Sequence, residues 1–337
     1  MKNDFNLNIP RYITPIDKEI HQDIVAHFKG GIPEEDAAIY PKALFKPLRR
    51  GYVALKGAID EIASNLEADL GTKEASKKYT NMYSNWLKYL AESAKIFKIG
   101  DAPKKLIIEW SDKILNKAQN CKDFVDPYDT YEILMNYWLE TLQDDCYLIS
   151  RDGWKAEILP PAKKNATWES YVCDLLPVDV VVNASFKTEK DCIANLKIEL
   201  EEVLANIDEI DEKLDSEELD EDLDEEALKA DRKKLEQASK NLKKSIKEAN
   251  EKLTAAILDY YAKLDEQSIK KHVIYDKWIS ALSSRFAMEL SRVKASIVTN
   301  VQALANRYAK TLPEAEKKVD ELSAKVADHL SAMGIKI

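Results

Sequence analysis

The chain has 337 residues, of which 45% are hydrophobic and 33% are charged, with a formal net charge of −10. Only eight glycines are present, which argues against folds that hold nucleotides on tight backbone turns. The four cysteines lack the close spacing of zinc or redox motifs, and no apolar run approaches the ~20 residues of a membrane span. The composition therefore predicts a mainly helical protein, and the scattered thiols favour a cytoplasmic one.

The first segment, residues 1–49, is predicted to be irregular and to wrap over another part of the protein. Five prolines interrupt its short amphipathic pieces, and Gly30-Gly31 breaks one of them. The two histidines of this segment, His21 and His27, are six residues apart and so do not share a helix face at metal-ligand spacing. We expect them to be surface or interface residues.

The second segment, residues 50–182, reads as a helical bundle followed by a small β or irregular insertion near 143–182. One predicted helix has an apolar face from Val53 to Leu66 and ends near Gly71. The next has an apolar face from Tyr79 to Phe97 and ends at Gly100. A third helix begins after Asp101. A fourth begins at Asp126-Pro127, because Asp favours the N-cap and Pro the first turn.

A short β-hairpin is predicted where the helical pattern breaks after residue 142. Its strands would be Cys146 to Ile149 and Trp154 to Ile158, joined by the turn-like Arg151-Asp-Gly. Tyr171 to Leu176 would add a third strand, ended by Pro177.

The third segment, residues 183–264, is predicted to be an antiparallel coiled-coil hairpin. Apolar residues in its first half alternate at spacings of three and four, as in a coiled-coil seam. These are Ile193, Leu196, Leu200, Val203, Ile207, Ile210 and Leu214. A looser seam in the second half comprises Leu228, Leu235, Ala238, Leu242, Ala249, Leu253, Ala256 and Tyr260.

The bend between the two seams, Asp215 to Glu226, holds nine carboxylates and no base. Such a run favours a solvated hairpin tip. The alternatives are mimicry of nucleic acid and recruitment of a basic partner.

The fourth segment, residues 265–337, carries two predicted C-terminal helices separated at Pro313. Residues 268–312 hold eight Lys or Arg against Asp276 and Glu289. Side chains in this stretch are candidates for contact with DNA phosphates, although a solvated helix face explains them as well. The candidates are Arg285, Arg292, Lys294 and Arg307.

Two further patterns bear on possible chemistry. Asp144, Asp145 and Asp152 form a candidate metal-binding cluster, against the alternative of a solvated turn. Asp126-Pro127-Tyr128 resembles a shortened form of the Asp/Asn-Pro-Pro-aromatic motif of adenine-amino methyltransferases, but it lacks the second proline. Helix capping is the simpler interpretation. No residue is predicted to be catalytic, to bind a cofactor or to ligate a metal.

Longer blocks of the sequence carry a resemblance to a known family. They are Asn3 to Ile13, His27 to Pro33, Asp126 to Tyr131, Met135 to Ile149, Asp152 to Trp154, Asp276 to Trp278, Leu304 to Tyr308 and Leu312 to Glu314. These blocks resemble, in the same order, the modification (methyltransferase) subunits of type I restriction-modification systems. The similarity spans essentially the whole chain.

The resemblance implies a non-catalytic C-terminal part of a DNA adenine methyltransferase subunit. The S-adenosylmethionine site and the Asn-Pro-Pro-aromatic motif of the family would precede residue 3, so the cofactor is expected in a full-length parent and not in this chain. The implied partners are the specificity subunit, the restriction subunit, and DNA through the assembled complex. The hairpin and the last two helices are the candidate contacts.

Two other functions stay open from the sequence. The chain could be a free-standing coiled-coil scaffold or adaptor, which explains the hairpin but not the tryptophan-rich block 126–154. It could also be an independent enzyme that uses Asp144, Asp145 and Asp152, for which no neighbouring nucleophile or base is found.

Overall fold

A computed structural model describes residues 23–29, 33, 70–161, 167–215, 225–308 and 310–334. The predicted mainly helical fold is confirmed, because most of these residues lie in helices. The α-helices are α1 (Ile24–Lys29), α2 (Leu70–Ile96), α3 (Pro103–Ala118), α4 (Pro127–Tyr137), α5 (Gln143–Asp152), α6 (Val178–Ser185), α7 (Lys187–Asp215), α8 (Glu225–Ala262), α9 (Glu266–Lys271), α10 (Ser280–Arg307) and α11 (Leu312–Ala332).

Two segments adopt the wider π-helical turn, with hydrogen bonds from residue i to i+5. Trp138–Leu142 connects α4 to α5, and His272–Ile279 connects α9 to α10. Short 3₁₀ turns occur at Gln119–Cys121 and Trp168–Ser170. None of the helices in the described part of the chain is long and apolar enough to cross a bilayer.

The chain divides into two compact units. The first combines the described residues of Met1–Ser76 with those of Arg292–Ile337. Within it the Asp23 amide donates a hydrogen bond of 3.3 Å to the Tyr308 hydroxyl, and the His27 ring lies 4.9 Å from the Tyr308 ring. The predicted helix from Val53 to Leu66, most of the wrapping segment and His21 lie outside the described residues.

The second unit, Lys77–Ser291, contains the aromatic core of the bundle. Trp86, Trp110 and Trp278 are fully buried in it, and the Trp86 Nε1 donates to the Trp110 carbonyl at 3.2 Å. The third and fourth predicted helices start as expected, at Pro103 and Pro127, whereas α2 starts at Leu70, nine residues before the predicted apolar face begins at Tyr79. Asp126 caps α4 as expected, because its Oδ1 accepts a hydrogen bond of 2.8 Å from the Tyr128 amide.

The predicted β-hairpin near 143–182 is wrong. Residues 143–152 continue as α5, with Leu142, Cys146 and Ile149 buried at spacings of four and three. Gly153 ends this helix at φ +81°, instead of turning a hairpin. In the described part of 153–177 the only strand-like pairing is one antiparallel bridge between Leu159 and Val172.

The predicted helical hairpin is confirmed as α7 and α8. Asp211 and Arg232 pair near one end, whereas Phe186 and Tyr260 contact each other at the other end, so the helices run antiparallel. The Arg232 Nη2 donates to the Asp211 Oδ2 at 3.2 Å. Residues 216–224 of the acidic bend lie outside the described residues.

Candidate functional site: the base of the helical hairpin

The predicted seam of α7 lies against α8. Ile193 and Ile207 are buried, and the remaining predicted seam residues of α7 are half-buried, while most residues between them are exposed. On α8, Leu235 and Leu242 are half-buried and Leu253 is 2% exposed. These burial patterns match the heptad spacing predicted from the sequence.

Two positions of the α8 seam differ from the prediction. Ala256 is exposed, and the neighbouring Ile257 is buried in its place. Two polar residues, Ser239 and Asn250, are also buried along this helix, although an apolar pattern alone does not identify them. The Asn250 side-chain amide donates to the Ile246 carbonyl at 2.8 Å, which satisfies one polar group inside the hairpin.

The base of the hairpin is fixed to the bundle by two tyrosines at the end of α8. The Tyr261 hydroxyl donates to the Leu176 carbonyl at 2.7 Å, and burial raises the pKa of this hydroxyl. The Tyr260 ring packs edge-on against Phe186 at 5.6 Å. These contacts hold the C-terminal end of α8 at the segment that leads into α6 and α7.

A chain of hydrogen bonds continues from Tyr260 into the π-helical segment His272–Ile279. The Tyr260 hydroxyl lies 2.7 Å from the His272 Nε2, and the His272 Nδ1 lies 2.7 Å from the Asp276 Oδ2. His272 is buried. One hydrogen-bond partner of its ring comes from the hairpin, and the other comes from its own segment. No spacing pattern in the sequence predicts this trio, since Tyr260 is twelve residues from His272.

The same π-helical segment binds a buried carboxylate. Lys277 and Trp278 both donate to Asp145 of α5, at 2.8 Å from the lysine Nζ and 2.7 Å from the indole Nε1. Burial raises the pKa of Asp145, while the lysine charge and the two hydrogen bonds oppose that rise. Two sequence blocks that carry the family resemblance, Met135 to Ile149 and Asp276 to Trp278, therefore meet at this ion pair.

The structure does not bring the three candidate metal-binding carboxylates together. Asp145 is 3% exposed and is paired with Lys277, so the alternative of a solvated turn is also wrong for this residue. Asp144 is exposed, and Asp152 pairs with its neighbour Arg151. No group of three or more His, Cys, Asp or Glu side chains among the described residues is arranged around a possible metal position.

The candidate phosphate-binding residues fall into both units. Arg285 forms an ion pair with Glu140, with 3.2 Å from its Nη1 to the Glu140 Oε1, and its guanidinium lies 5.0 Å from the Tyr137 ring. This pairing lowers the pKa of Glu140. Arg292, Lys294 and Arg307 belong to the other unit, where Arg292 is exposed and the other two are half-buried.

The arrangement at the hairpin base is suited to holding helices together. Its polar groups are satisfied by one another, and its charged carboxylate is buried against a lysine. No family model, curated protein or solved structure matches the chain. The family resemblance therefore stays a prediction from the sequence blocks.

Proposed function

We propose that the chain is the non-catalytic C-terminal part of a type I restriction-modification methyltransferase subunit, and that it assembles with the specificity subunit. The observation that carries this proposal is the apolar stripe of α11. Val319, Leu322 and Val326 follow one another at spacings of three and four, and their side chains are 60%, 51% and 56% exposed. No residue of α11 is buried.

The stripe has the features of an unpaired coiled-coil seam. Its helix is well formed, because Thr311 and Glu314 make a reciprocal capping box at its start. Apolar residues at this spacing lose their contact with water when a second helix packs on them. An adjacent row carries Lys318 and Lys325, both exposed, so a partner helix with acidic residues at the facing positions is favoured.

The experiment is co-purification of the full chain with its specificity subunit. The variant V319D/V326D places charges in the stripe and is expected to abolish the complex. A matched control, A324D/S331D, places the same charges on exposed positions of the opposite helix face and should bind like the parent chain. Equal binding by all three chains would overturn the role of the stripe.

A second experiment tests the hairpin. Replacing residues 204–239 by Gly-Gly removes its distal part but keeps the contacts of Tyr260 and Tyr261 at the base. If the hairpin takes part in assembly, this chain loses affinity for the specificity subunit while circular dichroism shows that the bundle is still folded. A free-standing scaffold would not bind that subunit in either form.

A further inference from the structure

One face of α8 carries a row of lysines that the assembly function does not use. This lysine face comprises Lys229, Lys233, Lys240, Lys243, Lys244 and Lys247. All six side chains are exposed, and separations of three, four and seven residues place them on one side of the helix. At 1.5 Å per residue the row is about 27 Å long.

Few carboxylates lie within the stretch of α8 that carries the lysine face. Residues 229–247 contain two carboxylates, and both are paired with residues outside the lysine face: Asp231 with Lys234 at 2.8 Å, and Glu236 with Arg232 at 2.6 Å. Lys244 and Lys247 approach glutamates at 3.8 and 3.9 Å, where exposed pairs contribute little. Within the described residues, Lys233, Lys240 and Lys243 have no carboxylate at ion-pair distance.

The composition of this face indicates what it binds. Among the described residues of α8 no large hydrophobic side chain is exposed, whereas protein interfaces are enriched in aromatic residues and depleted in lysine. Binding of single-stranded nucleic acid relies on aromatic side chains that stack with the bases, and the lysine face has none. A straight, rigid row of positive charges matches the regular phosphates of a duplex.

We propose that the lysine face of α8 binds the phosphate backbone of double-stranded DNA without reading its sequence. The helical hairpin then has two separate sides: its seam holds α7 to α8, and the lysine face contacts DNA. Phosphate contacts of this kind fix the position of a protein on the duplex.

Fluorescence anisotropy with a labelled 30-base-pair duplex, over a series of salt concentrations, tests the proposal on the full chain. Each phosphate contact contributes about 0.9 to the slope of log affinity against log salt. The variant K233Q/K240Q/K243Q is therefore expected to reduce that slope by about 2–3 and to weaken binding at low salt at least ~10-fold. The control K104Q/K105Q/K122Q removes three exposed lysines of α3 and the loop that follows it, with the same change in net charge, and should keep the parental slope.

Three outcomes would overturn the proposal. An unchanged slope in the α8 variant would show that the lysines are only solvated. An equal loss of slope and affinity in the control variant would show that only the net charge of the chain matters. Competition by polyglutamate or by single-stranded DNA as strong as by duplex would assign the face to another class of partner. The assay contains no specificity subunit, so its result is independent of the stripe on α11.

Discussion

The Nζ of Lys277 lies 2.7 Å from the Oδ2 of Asp145, across 132 residues of sequence, and both side chains are almost completely buried. Removing one member of a buried pair leaves the other charge without a partner in a medium that solvates it poorly. The carboxylate also accepts a hydrogen bond from the Trp278 indole. Its loss therefore removes an acceptor from both the Lys277 ammonium and the Trp278 N–H.

Asp145→Ala is expected to lower the free energy of unfolding by about 3–5 kcal/mol, because it leaves the buried Lys277 ammonium without its carboxylate partner. Asp144→Ala is the matched control, since this neighbouring carboxylate is exposed, and should change stability by less than ~0.5 kcal/mol. Urea denaturation followed by tryptophan fluorescence measures both. The double variant Asp145→Leu/Lys277→Met removes both charges and should recover much of the lost stability. Equal destabilisation by Asp145→Ala and Asp144→Ala would contradict the buried ion pair.

The ion pair between Glu140 and Arg285 predicts a pH dependence. The guanidinium holds the pKa of Glu140 below its ordinary value of 4.5. The pair therefore stabilises the fold above that value, and its contribution disappears as the pH falls through the lowered pKa. The difference in Tm between the parent chain and Glu140→Gln should be present at pH 7 and shrink as the pH falls below 4.5. A difference that persists at low pH would mean that the glutamate acts through packing.

The hairpin seam predicts a contrast between two leucines. Leu253→Ala empties a position that is 2% exposed and is expected to cost about 2–5 kcal/mol. Leu204, also on the hairpin but 37% exposed and outside the predicted seam, should tolerate the same substitution at a cost of ~0.5 kcal/mol. Hydrogen exchange of α7 and α8 amides reports the local opening. Similar costs at both positions would contradict the packing of the seam.

Two glycines with left-handed backbone give a fourth comparison. Gly153 has φ +81° and ψ −170°, a region restricted to glycine, and an added Cβ would lie 3.2 Å from the Ile99 side chain. Gly100 has φ +87° with open space around it. Gly153→Ala should therefore destabilise by about 2 kcal/mol or more, and Gly100→Ala by about 1 kcal/mol. Thermal unfolding of the two variants measures the difference.

The sequence predicted what depends on local periodicity. The spacing from Ile193 to Leu214 identified the buried side of α7, and Asp126-Pro127 identified the start of α4, because seams and caps are set by residues within a few turns. The stretch from Cys146 to Ile149 is helical, although its pattern predicts a strand, since a four-residue apolar run fits either structure. Its burial spacing from Leu142 onward is helical.

The contacts at the hairpin base could not be predicted, because they join residues far apart in sequence. Asp145 looked like one acidic residue among three until α5 and the π-helical segment placed it beside Lys277 and Trp278. Asn250 and Ser239 were missed for a different reason. They are polar, so a pattern of apolar residues does not include them even though they occupy buried positions.

The wider turns of His272–Ile279 set the rotation of α10 about its own axis. A π-helical turn accommodates about one residue more than an α-helical turn, and each residue of an α-helix rotates the following chain by about 100°. Tightening such a turn to an α-helical turn without removing a residue would rotate the start of α10 by about that angle. Arg285 would then leave Glu140, and Phe286 would leave the stacked contact that its ring makes with Tyr83. In this segment the width of the turn decides which side chains of α10 face the bundle.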